Sequence, residues 1–451
     1  MKPLSSPDPA HEVAVGDPDA GLAHESCREF HRAATVSRRR VLAGLAGGVG
    51  LGMAHSIFGG VFRQAVFGAT TGNNVVVVIS LRGGVDGMSV VVPHGDPAYA
   101  TLRKSIAVPT SSLLAADSMF GLHPHLEPLL PFWQTNRMAA VHATGLAVPN
   151  RSHFSAMEEV EDADPGSSVR RGWINRAIGL DGDSFPAEAV QFGSTIVPTA
   201  MTGPAPVLAT QSMKDLVLAG ANPKWDDATW QARRRTQLDT VWGRGGGVLG
   251  PAARAALATV DQLAPTARQT YVPHNGATYP TDWRARDLGE ALASTAQLIR
   301  ADVGTEVVAI DYGSWDMHTD LGTLDWGDMQ SMLTGFSSAL AAFLADVADL
   351  GDRVTVVTIS EFGRRAAVNG GGGLDHGWGN MMLLAGGGVK GGQYYGSWPG
   401  LDSSSLADGD LAVTTDYRNV LGEVVASRLN RSVAGVFPGL SYDPMGLMTT
   451  L

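Results

Sequence analysis

Two stretches of the sequence place carboxylate and imidazole side chains just beyond short apolar runs, at residues 307–310 and 354–359. The side chains concerned are Asp316, His318, Glu361, Asp375 and His376. Short β-branched runs indicate buried strands. Ligands in open α/β sheets bind at the carboxyl ends of strands, where loops vary while the sheet holds them still. Because carboxylates and imidazoles bind divalent metals, these stretches predict a metal or hydrolytic site at one sheet edge.

Two earlier segments carry similar groups. Asp86 lies in a glycine-rich turn after the apolar run 74–81, and Ser152-His153 stands at the start of a predicted helix. Each has an ordinary alternative explanation: Asp86 as a turn residue, Ser152 as a helix cap, and Glu361 as the partner of a nearby arginine. Their recurrence at the same predicted sheet edge favours one shared site.

The composition excludes several classes of protein. The chain has 451 residues, 44% of them hydrophobic, which is enough for one large core. Its formal net charge of −11 argues against a nucleic-acid partner, which needs a basic face. The only cysteine is Cys27, so an internal disulfide and a thiolate zinc site are both excluded. Any metal must be held by His, Asp, Glu or hydroxyl groups.

The first 69 residues have the composition of an export leader. The twin arginines of residues 38–40 precede a weakly apolar, Gly/Ala-rich stretch at 43–60, which resembles a Tat signal. We therefore expect the Tat export machinery as a partner, cleavage near Ala69, and an extracellular, cell-wall or periplasmic location. A membrane anchor is the alternative, but the many glycines and His55 make a poor spanning helix, and we expect no stable membrane span in the mature protein.

The alternation of strand and long helix predicts an α/β fold with a mostly parallel central sheet and helices on both faces. Expected strands cover 74–81, 138–144, 307–310, 354–359 and 381–384, and expected helices cover 122–133, 152–160, 286–301, 327–350 and 416–429. Residues 70–451 are expected to form a single domain. Within it, the polar, glycine-broken region 211–287 is interpreted as a helical cap or insertion.

Six segments together resemble a known family: LRGGVDGM, VPNRSHFSA, IDYGSWDMHTD, TISEFGRR, LDHGWGN and TTDYRNVL. In this order they resemble the alkaline phosphatase-like superfamily, which includes the sulfatases, and more closely the domain of unknown function 1501 family. The resemblance implies an alkaline phosphatase-like fold. It also implies that Ser152 is the nucleophile and that the metal is held by Asp86, Asp316, His318 and His376.

The sequence departs from the superfamily pattern at two places. Asp316 and His318 are separated by one residue where three are usual, and Glu361-Phe362 stands where an Asp-His pair is expected. One imidazole is therefore missing from a two-zinc ligand set. A single metal, a carboxylate-rich site that includes Glu361 and Asp375, or a site without metal all remain open.

The resemblance implies hydrolysis of a phosphate or sulfate ester, on a small-molecule or polymer substrate. The expected cofactor is a divalent metal (zinc, calcium or manganese), with no nucleotide cofactor. Arg151 and Arg364 are candidate clamps for the substrate oxyanion, and His153 is a candidate general acid. The alternative is a catalytically degenerate relative that binds a ligand, polysaccharide or protein. A role as an assembly or export partner is a third, weaker hypothesis.

Overall fold

The computed structural model describes residues 74–180, 185–216, 218, 228–243 and 249–449, all within one compact unit. The predicted leader, residues 1–69, lies outside the described residues. Among the described helices, none combines the length and the apolar character that a membrane crossing requires.

A nine-stranded sheet forms the centre, with strand order β10-β4-β9-β8-β1-β7-β5-β6 and with β11 paired to β4. The strands are β1 (Val75–Leu81), β2 (Val91–Val92), β3 (Gly121–Leu122), β4 (Met138–Gly145), β5 (Ala189–Phe192), β6 (Leu208–Thr210), β7 (Val307–Tyr312), β8 (Val354–Ile359), β9 (Asn380–Gly386), β10 (Tyr394–Tyr395) and β11 (Thr415–Asp416). Strand β9 runs antiparallel to β4 and β8, and the other pairs of this sheet are parallel. Strands β2 and β3 form a separate antiparallel pair. The predicted mostly parallel sheet is confirmed.

Helices cover both faces of this sheet. The α-helices are α1 (Gly87–Val90), α2 (Tyr99–Leu102), α3 (Leu130–Gln134), α4 (His153–Asp162), α5 (Trp173–Ile178), α6 (Ala228–Trp242), α7 (Leu249–Ala267), α8 (Arg286–Arg300), α9 (Asp328–Asp346), α10 (Tyr417–Arg428) and α11 (Val433–Val436). Short 3₁₀ helices lie at Thr110–Ser112, Pro124–Leu129, Thr199–Met201, Met213–Asp215 and Ala348–Leu350.

Strand β1 shows why the sheet needs two helical layers. Val75, Val77 and Ile79 pack into an apolar cluster shared with α8 and α9, whereas Val76 and Val78 pack into a cluster shared with α4, α5 and α10. Alternate side chains of a strand point to opposite faces, so a strand that is apolar throughout must be covered on both sides.

One predicted helix differs from the structure in detail, and one predicted region stays untested. The helix expected over 122–133 is a 3₁₀ helix, Pro124–Leu129, followed by the short α3. Proline lacks the amide hydrogen that a continuous α-helix needs, and Pro128 and Pro131 account for the break. The expected cap region, 211–287, contains α6 and α7. Its interpretation as a cap stays a prediction.

The register of the sheet brings the site loops together. Strand β1 lies between β7 and β8, and all three run parallel, so their carboxyl ends are adjacent. At the end of β1, Gly83 has a φ of +110°, and a Cβ there would lie 2.7 Å from the backbone nitrogen of Asp316. Only glycine allows this close approach between the loops after β1 and β7.

Candidate functional site

Three imidazoles converge on the carboxylate of Asp316, beyond the end of β7. Oδ1 of Asp316 lies 3.1 Å from Nε2 of His318 and 3.3 Å from Nε2 of His376, and Oδ2 lies 3.5 Å from Nε2 of His153. The Nε2 atom of His376 lies 3.0 Å from that of His153 and 3.0 Å from that of His318. The four side chains come from the loop after β7, the start of α4 and the loop before β9.

Each imidazole is oriented by an acceptor at its other nitrogen. Nδ1 of His153 lies 2.8 Å from Oε1 of Glu361, and Nδ1 of His318 lies 3.2 Å from Oδ1 of Asp375. Nδ1 of His376 lies 2.8 Å from the backbone carbonyl of Arg151. Carboxylates and carbonyls only accept hydrogen bonds, so each Nδ1 carries the hydrogen.

This tautomer leaves the converging Nε2 atoms of neutral His153, His318 and His376 with lone pairs facing one another. Lone pairs 3.0 Å apart repel unless a cation or an additional proton lies between them. Metal-bound histidines almost always donate their second ring nitrogen in this way, which fixes the ring orientation. The arrangement therefore has the hydrogen-bond pattern of a metal site.

The distances within the cluster also fit a metal ion. His153, Asp316 and His376 each offer a ligand atom, and these atoms lie within 4.8 Å of one another. His318 forms an overlapping set with Asp316 and His376 at 3.0–3.3 Å. Ligands about 2.0–2.1 Å from a tetrahedral zinc ion are about 3.3 Å apart, which these separations match.

Electrostatics favours a positive charge within the cluster. Burial by itself lowers the pKa of His153, but hydrogen bonds with Asp316 and Glu361 raise it to about 9. Burial likewise raises the pKa of Asp316, yet the hydrogen bonds from three imidazoles and the charge of Arg364 hold it far below its ordinary value. The hydrogen bond to Asp316 raises the pKa of His318. The site is thus built to attract cations, either protons or a metal ion.

Arg364 occupies a place different from the predicted oxyanion clamp. Its side chain is only 1% exposed, and its Nη2 lies 2.6 Å from Oδ1 of Asp316. Its other donors are used by the backbone carbonyls of Gly83, Gly84, Trp315 and Leu374. A guanidinium so engaged cannot also grip a substrate, so the clamp interpretation of Arg364 is corrected to a buried structural role.

Phe362 stands where the superfamily pattern expects an imidazole, and its ring packs against two members of the cluster. The ring centroids of His153 and His376 each lie 4.8 Å from that of Phe362. His153, which arrives from α4, supplies an imidazole to this side of the cluster. The Nε2 of His153 faces Asp316 and His376, which places it among the possible metal ligands. The predicted role was instead that of a general acid.

Three predicted metal ligands lie outside the converging set. Both carboxylate oxygens of Asp86 face Arg103, at 2.6 and 3.1 Å, and one accepts a hydrogen bond from Ser89. Glu361 and Asp375 meet the Nδ1 atoms of histidines, so they orient ligands instead of converging with them. The arrangement gives no support to a direct metal contact by these three carboxylates.

Ser152 and Arg151 lie next to His153 on the loop that leads into α4. Ser152 is exposed at the N-cap position of α4, but its side chain makes no capping hydrogen bond. Arg151 is tied to Asp410, with 3.0 Å from its Nε and 2.5 Å from its Nη2 to the same oxygen. The hydroxyl of Ser152 is thus available for chemistry, whereas the guanidinium of Arg151 is largely engaged. The roles predicted for both residues stay predictions.

Comparison with known proteins agrees with part of the resemblance seen in the sequence. Residues 295–420 match the model of the family described as "Protein of unknown function (DUF1501)". This is the region that contains Asp316, His318, Glu361 and His376, so the expected family resemblance is confirmed there. No curated protein matches the chain significantly in sequence.

Solved structures with a similar arrangement belong to the alkaline phosphatase superfamily and related enzymes. They include an alkaline phosphatase superfamily protein from Vibrio parahaemolyticus (10% identity, 74% of this chain and 65% of that chain, TM-score 0.30). A lipoteichoic acid synthase from Listeria monocytogenes is 10% identical over 83% of this chain and 80% of that chain (TM-score 0.30). An alkaline phosphatase from the Antarctic bacterium TAB5 is 10% identical over 72% of this chain and 95% of that chain (TM-score 0.28). At these values the similarity gives neither substrate nor mechanism.

Two parts of the site escaped the sequence reasoning. The backbone carbonyl of Arg151 orients His376, and a carbonyl carries no residue-type signal. Asn369 binds the backbone carbonyl of His318 at 2.9 Å and Asp375 at 3.0 Å, from the glycine-rich loop at 369–373. The asparagine before four glycines was visible in the sequence as a turn signal, but its partners depend on contacts made only in the folded chain.

Proposed function

We propose that this protein is a metal-dependent hydrolase of phosphate or sulfate esters, with its metal held by His153, Asp316 and His376 and assisted by His318. One observation carries the metal site: the histidine Nε2 atoms converge on Asp316 while every Nδ1 is held by an acceptor. Such an arrangement is unfavourable for neutral imidazoles unless a cation is bound.

The ligand types narrow the identity of the ion. Imidazole nitrogens with one carboxylate suit zinc or manganese, whereas calcium takes six to eight oxygen ligands. When bound, such an ion supplies Lewis-acid polarisation of an ester oxygen and activates a hydroxyl or water nucleophile. Calcium, one of the ions expected from the sequence, is the poorest match to this ligand set.

Side chains and a helix end of this chain provide the proposed nucleophile, an anion-binding position and the groups that orient the metal ligands. The exposed hydroxyl of Ser152 stands at the N-terminus of the ten-residue helix α4 and is the proposed nucleophile. The dipole and free amide groups of a helix N-terminus favour a phosphate or sulfate anion there. Arg364 and the carboxylates of Glu361 and Asp375 keep the ligand side chains in place, which avoids reorganisation during the reaction.

Metal analysis combined with an ester panel tests this proposal. The full chain is purified and its zinc, manganese and calcium contents are measured. Hydrolysis is then assayed on an aryl phosphate, a phosphodiester and an aryl sulfate. We expect one transition-metal ion per chain and activity on at least one ester, both lost in His376→Gln. His94→Gln is the matched control, because among the described residues the ring of His94 hydrogen-bonds to the backbone carbonyl of Asp117 and lies outside the cluster. Equal activity in H376Q would place the chemistry elsewhere.

A binding module without catalysis is the second candidate. It is favoured by the engagement of both predicted oxyanion clamps, Arg151 by Asp410 and Arg364 by Asp316. A chain that binds zinc tightly but hydrolyses none of the three esters would support this alternative.

We further propose export by the Tat route, on the basis of the twin arginines Arg38 and Arg39. The test is the location of the protein in cells that carry R38K/R39K. Retention of the double variant in the cytoplasm, with export of the parent, is the expected result. Export of both would remove the Tat proposal.

A further inference from the structure

An ion pair between the partly exposed Arg151 and the buried Asp410 lies directly behind His376. The Asp410 side chain is 0% exposed, and its Oδ2 accepts hydrogen bonds from Nε and Nη2 of Arg151 at 3.0 and 2.5 Å. The backbone carbonyl of the same Arg151 accepts the Nδ1 hydrogen of His376 at 2.8 Å. Asp410 therefore reaches an imidazole of the cluster through a single residue.

The loop that carries Asp410 is fixed to the other side of His376 as well. Asp410 and Arg365 form an isolated antiparallel bridge, and the amide of Ala366 donates to the carbonyl of Gly409 at 3.1 Å. The neighbouring Arg364 forms an antiparallel bridge with His376 itself. The loop thus contacts both chain segments that hold this histidine.

Arg151 contacts Asp410 through its side chain and His376 through its backbone carbonyl, so the ion pair can affect the position of that carbonyl. Arg151 ends the loop 145–151 and immediately precedes Ser152 and His153, so its position also sets theirs. A backbone carbonyl can fix a histidine tautomer only if its own peptide is held. Asn150 accepts a hydrogen bond from the Ser152 amide of this peptide at 3.1 Å, and the side chain of Arg151 ties the same residue to Asp410.

The second oxygen of Asp410, Oδ1, has no hydrogen bond among the described residues. Nε of Arg365 lies 3.8 Å from Oδ1, so Arg151 supplies the side-chain hydrogen bonds of the carboxylate and Arg365 adds a second, more distant positive charge.

We propose that Asp410 and Arg151 are positioning residues for His376. Their ion pair holds the Arg151 carbonyl where it keeps His376 in the Nδ1–H form, with Nε2 turned toward Asp316. The consequence for metal affinity rests on the proposed metal site, whereas the consequence for the tautomer does not. A purely structural ion pair would affect stability without affecting either.

The test uses the full chain with nitrogen-15 in its 12 histidines. The ring-nitrogen shifts of His376, identified by their loss in H376Q, report the tautomer in metal-free protein. Zinc affinity is measured by competition with a chromophoric chelator. We expect Asp410→Asn to shift the His376 ring signals away from the Nδ1–H form and to weaken zinc binding roughly 10- to 100-fold, as is typical when a ligand-orienting contact is removed.

Two further variants keep the result interpretable. Arg151→Met retains the carbonyl but cuts the tether, and its 35% exposed side chain makes misfolding less of a concern than at Asp410. Asp346→Asn is the matched control. The side chain of Asp346 is also 0% exposed and also faces an arginine, Arg300. Asp346 is the last residue of α9 and precedes the amino end of β8, whereas the candidate site follows the carboxyl end of that strand. We expect D346N to lower stability and to leave the His376 signals and zinc affinity unchanged.

The possible outcomes separate this inference from the proposed function. An unchanged His376 tautomer in both D410N and R151M would overturn the positioning role, even if both variants are less stable. If the parent protein binds no zinc, the metal-site proposal fails, but a shifted His376 tautomer in both variants would still support the positioning role.

Discussion

Nη2 of Arg364 lies 2.6 Å from Oδ1 of Asp316, so a buried guanidinium holds the carboxylate on which three imidazoles converge. The arginine also satisfies the carbonyls of the loops after β1 and β7. This single side chain therefore links the backbone of the sheet edge to the centre of the candidate site. It stabilises the ionised form of Asp316 in the absence of any ligand.

Removal of Arg364 should destabilise the whole fold and not only the site. In Arg364→Met, the buried charge of Asp316 and several carbonyls lose their partner, which should cost about 3–5 kcal/mol of unfolding free energy. Denaturant unfolding measures this loss. Arg137→Met is the control, since the Arg137–Asp352 pair is 38% and 77% exposed and should contribute no more than about 1 kcal/mol. Similar losses in the two variants would contradict the buried structural role.

Ser152→Ala should remove ester hydrolysis while leaving folding intact. The hydroxyl makes no capping hydrogen bond, so its loss should change the unfolding free energy by less than about 0.5 kcal/mol. If it is the nucleophile, kcat should fall by about three orders of magnitude with unchanged zinc content. Ser155→Ala, a change at an exposed hydroxyl one turn into α4, should retain full activity. Normal turnover in S152A would eliminate Ser152 as the nucleophile.

The metal-free protein should lose stability as the pH rises from about 6.5 to 9. The pKa of His153 is raised from 6.5 to about 9 by Asp316 and Glu361, against the effect of burial. A group with a raised folded-state pKa contributes its stability fully below the unfolded-state pKa and loses it as the pH passes the folded-state value. Unfolding free energies measured across this range, with a chelator present, should therefore decline by at most about 3 kcal/mol.

Zinc binding should show the opposite pH dependence. Because the ion must displace the proton on His153, zinc affinity should increase over the same interval, with proton release detectable by calorimetry in buffers of different ionisation enthalpy. His153→Gln should reduce the alkaline loss of stability in the metal-free protein. The part that remains is expected from His318, whose pKa is also raised by its hydrogen bond to Asp316. A flat stability profile in the parent chain would show that His153 is not protonated in the fold.

Gly83→Ala should disrupt the junction between the loops after β1 and β7. Its φ of +110° is strained for alanine, and the new Cβ would lie 2.7 Å from the backbone of Asp316. We expect a cost of about 2–4 kcal/mol and weakened zinc binding. Gly351→Ala has a φ of +66° and no atom within 4 Å of the new Cβ, so it should cost only about 1 kcal/mol and leave zinc affinity unchanged. Equal zinc affinity in G83A and the parent would rule out this loop contact as a determinant of the site.

The sequence by itself determined the central strands and the sheet edge at which the candidate site lies. The apolar runs that became β1, β7 and β8 are contiguous patterns, and Asp316, His318 and His376 follow them closely enough to be placed at one sheet edge. Local patterns are readable because strand burial depends on the composition of adjacent residues.

Only the tertiary structure decided which of these groups converge and which face elsewhere. His153 meets Glu361 across 208 positions of sequence, and His376 meets the carbonyl of Arg151 across 225. Asp86, predicted as a ligand, instead meets Arg103, and Arg364 is buried against carbonyls of distant loops. The orientation of a side chain depends on acceptors and charges brought from remote segments, and no local pattern contains that information. The residue types were present in the sequence, but their tautomers, partners and roles depend on the folded contacts.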